Sequence, residues 1–101
     1  MIIACGKIVV RPDALTLFRS LLPQQLMLCN AEEGCHFFSM AVENESTGEV
    51  LVCEIWENDE ALKLHFAKPF VKAFIEKLGD AILKIDSRIY DVASVRPSLP
   101  F

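Results

Sequence analysis

The chain has 101 residues with 10 basic and 14 acidic side chains, a formal net charge of −4, which bounds it to one domain and excludes the basic stripe that nucleic-acid phosphates or an anionic membrane surface require. Hydrophobic residues make up 52% against 24% charged, with only 4 Gly and 5 Pro, a composition that folds and does not stay disordered. No run approaches the ~20 apolar residues that a bilayer core needs, and Met1 to Gly6 lacks the positive segment of a secretory leader.

A soluble protein with a cytoplasmic address is therefore expected. Cys5, Cys29, Cys35 and Cys53 form no CxxC pair and are expected to be reduced, mostly buried thiols. A domain of this length buries roughly two-thirds of the surface its unfolded chain exposes, yet half of these residues favour the interior. Self-association, expected as a homodimer, covers the surplus most simply.

Ile2 to Val10 is rich in β-branched residues and ends at Arg11-Pro12, so it reads as a strand that is apolar on both faces. Pro12 suits a first helical turn, and Leu15, Phe18, Leu22, Leu26 and Cys29 follow at helical spacing. Pro23 inside that run predicts a kink or break near Leu22, and Glu32-Glu33-Gly34 ends the segment. Cys35 to Val42 and Val50 to Trp56 are strand-like runs joined by a polar, Gly-containing connection, a hairpin pattern. Asn58 and Asp59 are N-cap candidates for a short helix that Lys68-Pro69 interrupts. Phe70 to Leu78 continues helical, with Gly79 as its stop. Ile85 to Ala93 is the last strand.

The order β-α-β-β-α-β compacts most simply as an α+β, ferredoxin-like domain over residues 1–94, a four-stranded antiparallel sheet with both helical segments on one face. Residues 95–101, with two prolines, form a tail. The uncovered sheet face carries large apolar residues and is suited to a second subunit.

Glu33-Gly34-Cys35 before a strand, then Glu54-Ile55-Trp56-Glu57-Asn58-Asp59-Glu60-Ala61-Leu62, then His65-Phe66 and Pro69-Phe70, resemble the antibiotic biosynthesis monooxygenase domain. The specific part is the E-x-W strand end with His nine residues later. The resemblance spans Ile3 to Val92 and implies a homodimer whose sheets form a dimeric α/β barrel, with a small apolar pocket in each subunit. It also implies chemistry on quinols, polyphenols, haem or phosphorylated sugars. Cys5-Gly6-Lys7 stands where the haem-degrading branch carries Asn, and no His follows His65, which argues against haem cleavage.

Trp56 ends its strand and His65 lies on the next helix, so one strand-to-helix reversal can bring both to one pocket. His65 is the expected proton acceptor for a phenolic substrate, because histidine titrates near neutral pH. Glu54 would orient it or hold its charge, with Trp56 beside them. Trp56, Phe38, Phe66, Phe70 and Phe74 would wall an aromatic ring. The expected activity is a cofactor-independent monooxygenation of a small quinol or polyphenol with dioxygen. No metal is expected: Cys35 and His36 are strand neighbours that point to opposite faces. Two other classes fit the same pocket, a non-catalytic small-molecule-binding or stress-response module and an isomerase of a small phosphorylated sugar. The isomerase needs cations at the pocket mouth, for which Lys63 and Lys68 are the nearest candidates.

Overall fold

The computed structural model describes residues 1–100; Phe101, the last residue of the expected tail, lies outside them. Strands β1 (Ile2–Val10), β2 (Cys35–Asn44), β3 (Glu49–Trp56) and β4 (Ile82–Asp91) alternate with helices α1 (Leu15–Asn30), α2 (Asp59–Ala67) and α3 (Pro69–Leu78), and short 3-10 turns precede α1 and β4. The sheet is antiparallel with strand order β2-β3-β1-β4, the ferredoxin-like arrangement. Among the described residues, no helix is long and apolar enough to cross a membrane.

Period-two alternation decides which side chains meet the helices. On β3, Val50, Val52, Glu54 and Trp56 are buried while Leu51, Cys53 and Ile55 lie on the other face. Ile2, Ala4 and Val10 of β1 and Phe38 and Met40 of β2 join the buried set. From α1 come Leu15, Phe18 and Cys29, and Trp56, Phe18, Val10, Val50 and Cys29 are the most deeply enclosed side chains.

The segment expected to kink or break near Leu22 does not break: it stays helical through Pro23 from Leu15 to Asn30. Its far end is fastened to the sheet edge: Asn30 Nδ2 donates to the Phe38 carbonyl at 2.9 Å and Asn30 Oδ1 accepts the Phe38 N–H at 3.0 Å. Those bonds satisfy backbone groups that an edge strand otherwise leaves open. The second helical region divides at Lys68, where the residue before Pro69 is extended. The last strand begins three residues earlier than expected, at Ile82, and ends at Asp91.

Gly34 carries the turn between α1 and β2 at φ +82°, where a side chain is strained. A Cβ there would lie 2.7 Å from the Ala61 Cβ of α2. The turn bearing Glu32 thus packs directly on the helix bearing His65. Asn58 caps α2, its Oδ1 accepting the Ala61 N–H at 2.9 Å, and Asp59 and Glu60 complement the helix dipole in the first turn.

Gly34→Ala is therefore expected to destabilise the fold by about 1–3 kcal/mol, read as a lower urea midpoint at unchanged slope. A midpoint within error of wild type would contradict the close packing of this turn on α2.

Candidate functional site

Glu54 and Trp56 are two residues apart on β3, so the pleat sends both to the helix-covered face. The Trp56 indole Nε1 donates to Glu54 Oε1 at 3.0 Å. His65 stands in the last turn of α2, where the C-terminal end of the helix dipole suits a basic group. Its ring centroid is 4.8 Å from that of Trp56, 5.4 Å from Phe38 and 5.2 Å from Phe66.

The imidazole lies between two carboxylates. His65 Nδ1 is 2.6 Å from Glu32 Oε2, and Nε2 is 3.9 Å from Glu54 Oε1. The first pair is sealed, with side chains 4% and 5% exposed. Among the described residues, neither Glu32 nor Glu54 pairs with a lysine or arginine. Burial pushes the Glu54 carboxyl above its ordinary 4.5, and the Glu32 charge adds to this; the Trp56 hydrogen bond and the positive charge of His65 pull it partly back. A raised acid holds its stabilising, neutral form below 4.5 and loses it as pH rises through the folded value.

Cys29, wholly buried, adds a third donor type: its sulfur, a Glu32 oxygen and a His65 nitrogen lie within 4.8 Å of one another. These are zinc-type donors. However, Glu32 and His65 already satisfy each other, and burial, reinforced by Glu32 and Glu54, pushes the Cys29 thiol up to about 12. It is a buried thiol, not an activated nucleophile.

Beside this string of residues lies an apolar cavity of about 170 Å³ between the sheet and the helices, its walls including Val10, Val52, Phe18 and Leu78. Glu54, Phe66 and Phe74 line it, with Ser87 of β4 as the other polar wall residue. Glu54 Oε1 is taken by Trp56; Oε2 has no hydrogen-bond partner among the described residues and is the atom left for a ligand. A wider hollow of about 580 Å³ opens on the uncovered sheet face. It is lined by Lys7, Cys5 and Cys53 among apolar residues, and Lys7 is already engaged by Glu43 and Glu49 at 2.8 and 3.1 Å. The smaller cavity, which holds the perturbed carboxyl, is the candidate site.

Several expected placements change. His65, expected to meet the substrate, is 3% exposed and lies behind Glu54; the group on the cavity wall is Glu54. Trp56 and Phe38, expected as ring walls, are buried away from the cavity. Phe70 lines a separate groove between α1 and α3. Phe66 and Phe74 do stand on the cavity wall. Glu32 escaped the sequence reading, which took it as a helix end. Its signal was an acid just past a helix C-terminus, where the dipole disfavours negative charge.

A family model described as antibiotic biosynthesis monooxygenase matches residues 1–77. An uncharacterised Synechocystis protein is 30% identical over 96 residues, which cover 94% of this chain and 65% of that protein. The chain spans less than two thirds of the curated relatives it matches. A Deinococcus radiodurans structure, provisionally described as an antibiotic biosynthesis monooxygenase, is 22% identical with a TM-score of 0.83 and covers 99% of this chain and 100% of its own. A Bacteroides thetaiotaomicron structure with the same provisional description is 22% identical, with a TM-score of 0.76 and coverage of 99% and 94%. At these identities the structural matches establish the fold.

Glu32→Ala removes the partner of a sealed imidazole and is expected to cost about 3–5 kcal/mol. Glu32→Gln keeps an acceptor for Nδ1–H and should cost clearly less. Equal losses in chemical denaturation would show that the Glu32–His65 contact contributes nothing specific.

Proposed function

The chain belongs to the antibiotic biosynthesis monooxygenase family, and from that premise we propose that it is a cofactor-independent monooxygenase of a small quinol or polyphenolic arene, with dioxygen as co-substrate. The observation that carries this reading is a largely buried carboxyl, Glu54, raised above its ordinary pKa and facing an apolar cavity. A raised carboxylate is a better base, closer in proton affinity to a phenol, than an ordinary one.

In this mechanism Glu54 Oε2 takes the phenolic proton. His65, held by Glu32 through Nδ1, faces Glu54 with Nε2 and balances the charge on the carboxylate; Trp56 fixes Oε1. Glu32, His65 and Trp56 are thus positioning residues that act through Glu54. The electron-rich phenolate passes an electron to dioxygen, and recombination forms the new C–O bond. A dihydroxyarene supplies all the reducing equivalents: quinol plus O₂ gives hydroxyquinone plus water, one oxygen atom entering the ring and the other leaving in water. All four electrons come from the ring, so the step closes without an external reductant.

The sugar-phosphate alternative loses support, because the cavity wall carries no lysine or arginine. A cytoplasmic homodimer goes with the oxygenase reading. Phe37 and Leu51 on the uncovered face, and Leu83, Ile85, Ile89 and Tyr90 of β4, are large apolar side chains at substantial exposure. Burying them against a second copy answers the apolar surplus of so short a chain.

Incubation with a panel of quinols in an oxygen electrode is expected to consume one O₂ per quinol. The rate should rise with pH through a midpoint above the ordinary glutamate value, since Glu54 must be ionised to act. Glu54→Gln should lower turnover by about 10²–10⁴-fold with the fold intact. The absence of protein-dependent uptake across the panel would favour a binding module instead. Sedimentation at micromolar concentration is expected to give a dimer; a stable monomer would overturn the proposed assembly.

A further inference from the structure

We infer that the cavity beside Glu54 selects an uncharged arene of one ring and rejects fused-ring polyphenols and anionic analogues. The inference rests on the function proposed above and narrows its substrate.

Size is the first argument. An apolar cavity of roughly 150 Å³ takes up one benzene molecule, and the space here is about 170 Å³. One ring with its hydroxyls fills the inner space; a second fused ring has to project through the mouth. Most of the inner wall cannot yield cheaply. Val10, Val52, Phe18 and Leu78 are buried members of the main core, and displacing them disturbs close packing elsewhere. Phe74 is also anchored, its ring stacked edge-on to Phe18 at 6.1 Å between centroids. The open side is the mouth, where Phe66 and Ile75 are about half exposed and Ile85 of β4 is 67% exposed.

Charge is the second argument. The wall offers one carboxyl and one hydroxyl, Glu54 and Ser87, among apolar side chains, with no lysine, arginine or histidine. A phosphate or carboxylate on the ligand would face the Glu54 charge in an apolar surround, where like charges repel far more strongly than in water. A neutral hydroxyl instead donates to Glu54 Oε2, and the flat ring meets Phe66 and Phe74.

Anaerobic calorimetric titration tests this with benzene-1,4-diol, naphthalene-1,4-diol, anthracene-9,10-diol and the monophosphate ester of benzene-1,4-diol. The single-ring diol is expected to bind at least about tenfold more tightly than the two-ring diol, with no measurable binding of the three-ring diol or the ester. Phe66→Ala and Ile75→Ala open the mouth at half-exposed positions. Each should bring the two-ring diol to within about threefold of the single-ring one. A fused-ring diol or the ester binding wild-type protein as tightly as benzene-1,4-diol overturns the inference. Oxygen uptake on the same ligands separates it from the proposed activity. Single-ring binding without uptake sinks the oxygenase and leaves the selection standing; uptake that prefers fused rings does the reverse. No binding of any diol sinks both.

Discussion

One buried imidazole held between two carboxylates governs how the pieces of this molecule meet. Glu32 comes from the turn after α1, His65 from the end of α2 and Glu54 from the middle of the sheet, and the Glu32–His65 bond forms only when the turn and α2 are docked beside the sheet. A buried charge without its partner costs several kcal/mol, so the Glu32–His65 contact at 2.6 Å penalises any displacement of α2 against the α1–β2 turn. Gly34 and the Asn58 cap serve the same end: the first lets the turn approach α2, the second fixes where α2 begins. The ferredoxin-like arrangement supplies the frame, but this polar string sets the relative placement of its parts.

Glu54 belongs to both halves of that design. Oε1 is engaged by the Trp56 indole and lies toward His65, while the rest of the side chain stands on the wall of an apolar cavity. Desolvation raises its proton affinity and the neighbouring indole and imidazole restrain that rise. The outcome is a carboxyl tuned by opposing effects, in a place where water competes poorly. Both partners matter to that balance, since without them desolvation would act on the carboxyl unopposed.

Much of this was legible in the chain before folding. The strand-to-helix reversal brought Trp56 and His65 to one region, and the Asn58 cap and the Lys68-Pro69 interruption located α2 and with it His65. The resemblance carried by E-x-W and the following His pointed to the family. What spacing could not convey was depth. Sequence spacing says that His65 and Trp56 face inward, not that both stop short of the cavity, because depth depends on which neighbours fill the intervening space. Glu32 was harder still: its partner is 33 residues away, and only tertiary packing turns an acid at a helix end into half of a sealed pair. Pro23 is a milder case, a helix-breaking residue within a segment that does not break, with Phe18 and Cys29 buried on either side of it.

The cavity itself follows from unequal coverage of the sheet. The helices pack chiefly on β2 and β3, and β4 has exposed residues along almost its whole length. Where the helix layer ends and β4 begins, the core thins into a hollow walled by helix side chains and by Ile82, Ile85 and Ser87. Replacing Glu54 by an apolar residue would strand the buried Trp56 indole N–H, whose acceptor it is, so the carboxyl cannot be removed without cost. A chain that keeps an ionisable group beside an under-filled place in its core departs locally from optimal packing, and such departures are where a functional site is expected.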